Sequence, residues 1–342
     1  MLALQTVLSC ALLWVIAASS SIVAPTRALA ATTRSVWLAE AENHVQRMNE
    51  LLYPGTKADL KARMHAVREH PVYNFLHTYY RYSAEDLKMF SPGLDRVLSF
   101  NDDDGDLAKV HSRFRVISAS QTLKFEITAP LTADGRFGWI QLSRARDILR
   151  ATSTRLPFLG CFGLHEWAML YKQNQKKQPF LKLRVSQSTI NEMVESGVKC
   201  THFDAFRFFH VDAQPLNTEE LSRDTQDAYE QPGCIHATMD LFKYAFSVYP
   251  LASSELLRQS LELAIMARKI DMRASPYDVS HICELPIAIE TPEGRIQYAA
   301  EQLQLAELAA PIRQRLLSVY DQILPPSTLQ GKGKAMAVFK SS

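Results

Sequence analysis

Three long stretches of helical periodicity fill the carboxy-terminal third, over residues 234–248, 253–271 and 292–323, and each must bury its apolar stripe against another element. The last begins Thr291-Pro292-Glu293, which places proline at the first helical position behind an N-cap, and Pro325-Pro326 ends it. Glycine is only 12 of 342 residues, about half the roughly 7% of an average protein, which argues against turn-dense all-β folds and glycine-rich phosphate loops. We therefore expect a mainly α fold, a single multi-helix domain over 36–324 with a small β insert, and α+β as the alternative. Gly331-Lys332-Gly333-Lys334 beyond it reads as a flexible tail over 325–342.

Upstream, residues 36–52 and 57–69 read as helices, the second entered at Thr56 and broken at His70-Pro71. The aromatic run from Val72 to Tyr82 has helical spacing. Between 101 and 137 helix signals fade, and 114–117, 123–127 and 138–140 read as short extended pieces. The acidic run Asn101–Asp106 looks like part of a calcium loop but lacks its closing glutamate, because Ser112 stands there, so it reads as a solvated turn. Helices are expected over 141–153, 163–173 and 188–196, and strands over 180–185 and 200–209. A composition of 47% hydrophobic and 22% charged residues excludes disorder as the main state. Lys+Arg of 38 against Asp+Glu of 36 leaves a charge of +2, with no polyelectrolyte signature for nucleic acid.

From Leu2 to Val23 there is no charged residue, and the Ser- and Thr-rich stretch that follows has Arg27 and Arg34 before the first acidic residue, Glu40. This is the composition of a signal followed by a transit segment over 1–35, and it points to a plastid bounded by extra membranes. Secretion after Ala28-Leu29-Ala30 and a membrane anchor are the alternatives; no span is expected in the mature chain. Cys161, Cys200, Cys234 and Cys283 are too sparse for a disulfide scaffold, and no Cys-x-x-Cys occurs.

Chemistry is expected where ionisable residues interrupt apolar runs, because burying them costs several kcal/mol unless they are paired or bound. Three interruptions each combine Cys, His and a carboxylate within seven residues: Cys161/His165/Glu166, Cys200/His202/Asp204 and Cys234/His236/Asp240. His236 and Asp240 are four apart on one helix face, and His202 and Asp204 share a face if they lie in a strand. His165, His202 and His236 are candidate ligands for iron, zinc or manganese, with Glu166, Asp204 and Asp240 as further ligands or as a general acid and base. Purely structural roles stand beside these: a buried histidine bonding a carbonyl, and cysteines acting as small hydrophobes. The chain is not a zincin, since Met169 stands four after His165, and it lacks the zinc deaminase signature. Cys161 is a further candidate nucleophile. In Asp271–Asp278, Arg273 reads either as an ion-pair partner of the neighbouring carboxylates or as the holder of an anionic substrate group.

The segments Gly160–Met169, Thr201–Phe209, Glu230–His236 and Asp271–Asp278, with His70–Tyr80 and Glu290–Gly294, together resemble a bacterial family commonly labelled 3-methyladenine DNA glycosylase. The resemblance covers about residues 65–325. It implies excision of alkylated purines from DNA by cleavage of the N-glycosidic bond. Such chemistry needs a flipped base in an aromatic pocket, for which Tyr73, Trp167 and Phe206 are candidates, and a carboxylate among Glu166, Asp204 and Asp240. Two other readings stand with it: a metal-dependent helical enzyme acting on a small apolar or anionic molecule, and a non-catalytic helical scaffold.

Overall fold

The computed structural model describes residues 30–54, 67, 70–80, 82–100, 105–110, 122–123, 138–173, 178, 180–283 and 285–324. The fold is mainly α. Most of the amino-terminal segment, the helix expected over 57–69 apart from Val67, the extended piece at 114–117 and the tail lie outside the described residues.

Three helices form the centre: α9 (Ile235–Ser247), α10 (Ser254–Ala274) and α11 (Pro292–Ile323). They pack on one another, and α4 (Trp139–Ser153) packs against α11. One face of α10 mixes Leu257 and Leu261 with Ala264 and Ala267, all fully buried. Ser253 caps α10 by accepting from the Leu256 amide at 3.2 Å, and Thr291 caps α11 by accepting from Gly294 at 3.1 Å, as the Thr-Pro-Glu signal predicts. Pro311 lies inside α11 on its exposed side, where water can satisfy the carbonyl it leaves without a helical donor.

At the amino-terminal side, β1 (Ala30–Thr32) runs parallel to β2 (Arg96–Ser99), which pairs antiparallel with β3 (Thr122–Leu123). Helix α1 (Arg34–Leu52) joins this sheet in a small second core of Trp37, Ala41, Phe90, Leu98, Phe100 and Val110. Within the segment 1–35, Ala30 pairs with Arg96, and Arg34 grips the fully buried Asp106 through two bonds of 2.6 and 2.8 Å. With its carboxylate taken by Arg34, Asp106 is a structural anchor.

The smaller helices are α2 (Tyr73–Tyr79), α3 (Ala84–Lys88), α5 (His165–Leu170), α6 (Gln187–Glu195), α7 (Phe203–Phe206) and α8 (Gln226–Tyr229). Three expectations are corrected. Residues 138–140 enter α4 instead of forming an extended piece. Residues 180–185 form no strand, only a bridge from Leu183 to Tyr277, and 200–209 turn through α7. A short apolar run has the same composition in a buried strand and a buried helical turn, so periodicity does not separate them. No helix among the described residues is long and apolar enough to cross a membrane.

Candidate metal centre

The three Cys/His/carboxylate segments meet, and one glutamine holds them together. The buried Gln231 side chain accepts from the amides of Phe158 at 2.8 Å and Gly233 at 2.7 Å, and its amide donates to Phe158 O at 3.2 Å and Thr201 Oγ1 at 3.4 Å. It thereby ties the entries to α5, α7 and α9. Before α5, Phe162 and Gly163 both take left-handed backbone, φ 48° and 66°, a turn that points His165 inward. The hydroxyl of Tyr298 stands 2.9 Å from where a Cβ on Gly163 would lie, so only glycine fits there.

His165, His202 and His236 converge, as their shared composition suggests, with ring centroids 4.3 Å apart for His165 and His236 and 5.5 Å for His202 and His236. They divide into two triads, and within each triad one donor atom per residue lies within 4.8 Å of the others. The first is His165, His236 and Asp271, with His165 Nε2 at 3.2 Å from Asp271 Oδ1. The second is His202, Glu230 and Asp240, with His202 Nε2 at 3.4 Å from Asp240 and 3.6 Å from Glu230. Every donor is nitrogen or oxygen, a set suited to iron, zinc or manganese. Asp271 Oδ1, Glu230 Oε2 and both ring nitrogens of His202 are buried without a hydrogen-bond partner, which an interior tolerates poorly and an ion would relieve.

Electrostatics prepare these groups as ligands. Burial, with the neighbouring His165 ring, pushes His236 well below its ordinary pKa and keeps it neutral. Burial also acts on Asp271, but the His165 ring and Arg268 outweigh it and hold the carboxyl below the usual range; Lys243 and His202 do the same for Asp240. Burial pushes Glu230 up. It opposes protonation of His202, yet the charges of Glu230 and Asp240 prevail and raise it to about 9. Burial raises the Cys161 thiol, takes Cys200 to about 12 and holds Cys234 well above its ordinary value, so Cys161 lacks the thiolate that a nucleophile needs.

Beside the triads opens a cleft of about 1190 Å³ whose walls include Phe75, Tyr79, Tyr82, Phe208 and Phe246. Phe75 and Tyr79, four apart on α2, stack at 5.0 Å: Phe75 lies 4.2 Å from the guanidinium of Arg268, which pairs with Asp271, and Tyr79 OH lies 3.5 Å from Asp240. Glu166 and Asp204 reach the cleft, each in an ion pair: Glu166 with buried Arg268 at 2.8 Å, Asp204 with Lys243 at 2.9 Å and Arg207 at 3.2 Å. Asp240 lies behind them, held by Lys243 at 3.1 Å.

The residues expected to bind substrate lie elsewhere. Trp167 is fully buried with its indole N–H on Ala274 O at 2.9 Å, so it is core and stacks no base. Arg273 is taken by Glu301 at 2.5 Å and Leu285 O at 3.0 Å, away from the cleft. The partner of Asp271 is Arg268, one turn earlier. Tyr73 packs on His70 and Phe206 on Phe209, and neither lines the cleft. Glu230, Arg268, Lys243, Phe75 and Tyr79 were missed; the four-residue spacing of Phe75 and Tyr79 was the one local signal that marked a shared face. No family model, curated protein or solved structure matches the chain.

Proposed function

We propose that this protein is a metal-dependent enzyme that holds a divalent ion with His165, His236 and Asp271 and acts on a small molecule having an apolar body and an anionic group. One observation carries the reading: two imidazoles and a carboxylate, from helices separated by up to 106 positions in the chain, bring donor atoms within 4.8 Å. Two histidines and one carboxylate leave coordination positions for a ligand. When bound, the ion supplies Lewis acidity.

The chain's own residues supply the rest. Phe75, Tyr79 and Phe246 offer an apolar bed that excludes water, and Arg207, Arg223 and Lys243 gather cationic heads around the single carboxylate of Asp204 at the cleft wall. That local excess of positive charge favours an anion. Glu166 and Asp204 are placed to move a proton to or from a ligand in the cleft.

The test is metal content of the full chain by inductively coupled plasma mass spectrometry, beside a His165→Ala/His236→Ala variant. Near-stoichiometric iron, zinc or manganese, lost in the variant, is expected. A folded wild-type protein that takes up none of the three ions overturns the reading.

The aromatic cleft also favours a second reading, the purine excision that the family resemblance implies, with the flipped base between Phe75, Tyr79 and Phe208 and with Asp204 supporting the cationic sugar. Excision from methylated DNA by chelator-treated protein, lost in Asp204→Asn, would favour it over the metal reading.

A further inference from the structure

We infer that a second divalent ion binds at His202, Glu230 and Asp240, so that the centre is dinuclear; this rests on the reading that His165, His236 and Asp271 hold the first. The ligand class is a divalent first-row ion bound by one nitrogen and two carboxylates. One donor atom from each residue lies within 4.8 Å of the others, and all three side chains are at most 1% exposed. His202 has neither ring nitrogen hydrogen-bonded although the residue is fully buried, and Glu230 Oε2 is likewise without a partner. A buried carboxylate and imidazole left in this way cost several kcal/mol in an interior. An ion bound to them removes that cost.

The neighbouring cations do not already fill this role. Lys243 bonds Asp240 Oδ2 at 3.1 Å but is shared with Asp204 at 2.9 Å, and it makes no bond to Glu230. Arg313 acts on Glu230 from the α11 side through space alone, with its own Nε and Nη2 without hydrogen-bond partners. Apart from the His202 ring within the triad, Lys243 is therefore, among the described residues, the only cation hydrogen-bonded to either carboxylate, and of the two it reaches Asp240 alone.

The two triads also adjoin. The His236 ring, a ligand of the first, lies with its centroid 5.5 Å from that of His202 in the second. Helix α9 contributes to both, His236 to one and Asp240 to the other, one turn apart on one face. Two ions held by adjoining triads would supply paired Lewis acidity, which suits an anionic ligand.

The experiment counts Zn(II) bound to the full chain after stripping with chelator, reloading and dialysis, in wild type, Glu230→Gln and Asp271→Asn. Two ions in wild type, falling to one in each variant, are expected. A wild-type count that Glu230→Gln leaves unchanged overturns the second ion while leaving the first intact if Asp271→Asn still lowers it. One ion lost in both variants is a single shared ion and overturns the second site. One ion lost only in Glu230→Gln puts an ion at this triad but overturns the first site and the dinuclear centre, and no ion at all overturns both sites. Folding is checked by circular dichroism, and if Glu230→Gln does not fold, Asp240→Asn decides by the same count.

Discussion

Arg268 is the residue on which the interior balance turns, because Glu166 and Asp271 both depend on its guanidinium, which is almost wholly buried at the cleft wall. Glu166→Ala leaves that charge with one partner fewer, at a cost of about 3 kcal/mol or more, measured as a shift in the urea unfolding midpoint. Trp167→Ala is expected to cost about 3–5 kcal/mol by opening a cavity in the core, whereas a residue lining a cleft would give a far smaller loss. His44 governs part of the acid response. It is buried with Nε2 2.8 Å from Leu87 O, and burial lowers its pKa to about 4 from 6.5. The unfolded chain then binds this proton first, so the contribution of His44 is complete above about pH 6.5 and is lost as pH falls toward 4, up to about 3 kcal/mol. His44→Leu is expected to flatten the difference between unfolding at pH 7 and pH 5 by about 2 kcal/mol, the part of that loss falling in this window; an unchanged difference would contradict it.

At the scale of elements, helix α11 shows how a position can reverse a propensity. Ala normally stabilises a helix by about 1 kcal/mol relative to Gly. At Gly294 an added Cβ would lie 1.9 Å from the carbonyl oxygen of Ala288, so Gly294→Ala is expected to destabilise strongly or to prevent folding, as read from expression and melting. Thr291→Ala removes the cap and costs about 1 kcal/mol. The cap was legible because Thr-Pro-Glu is a local signal. The turn through 200–209 was not, because its conformation follows from burial and from the Gln231 latch, a contact across 30 positions. His202 and Asp204 were expected on one strand face; they sit instead at the start of α7, one turned to Glu230 and Asp240, the other to Lys243.

For the whole molecule, the proposed metal reading links ion binding to stability. An ion that binds the fold and not the unfolded chain stabilises by about 4 kcal/mol at a thousandfold excess over its dissociation constant. Melting of the full chain is therefore expected to rise on adding Zn(II) and to fall back with chelator, and the rise should vanish in the His165→Ala/His236→Ala variant. Gln231→Ala should weaken the same response without removing a ligand, because it frees the three segments that carry the donors.

The sequence by itself determined the long helices of the carboxy-terminal third, the cap of α11 and the three histidines, since periodicity, capping and residue type act over a few positions. Helix phase did not extend to the choice of partners. Tertiary structure alone decided that Asp271 serves His165 and not Arg273, that Glu230 completes the second triad, and that Phe75 and Tyr79 line the cleft while Trp167 lies in the core. Those choices depend on contacts across tens to a hundred positions, where distance along the chain carries no information about distance in space.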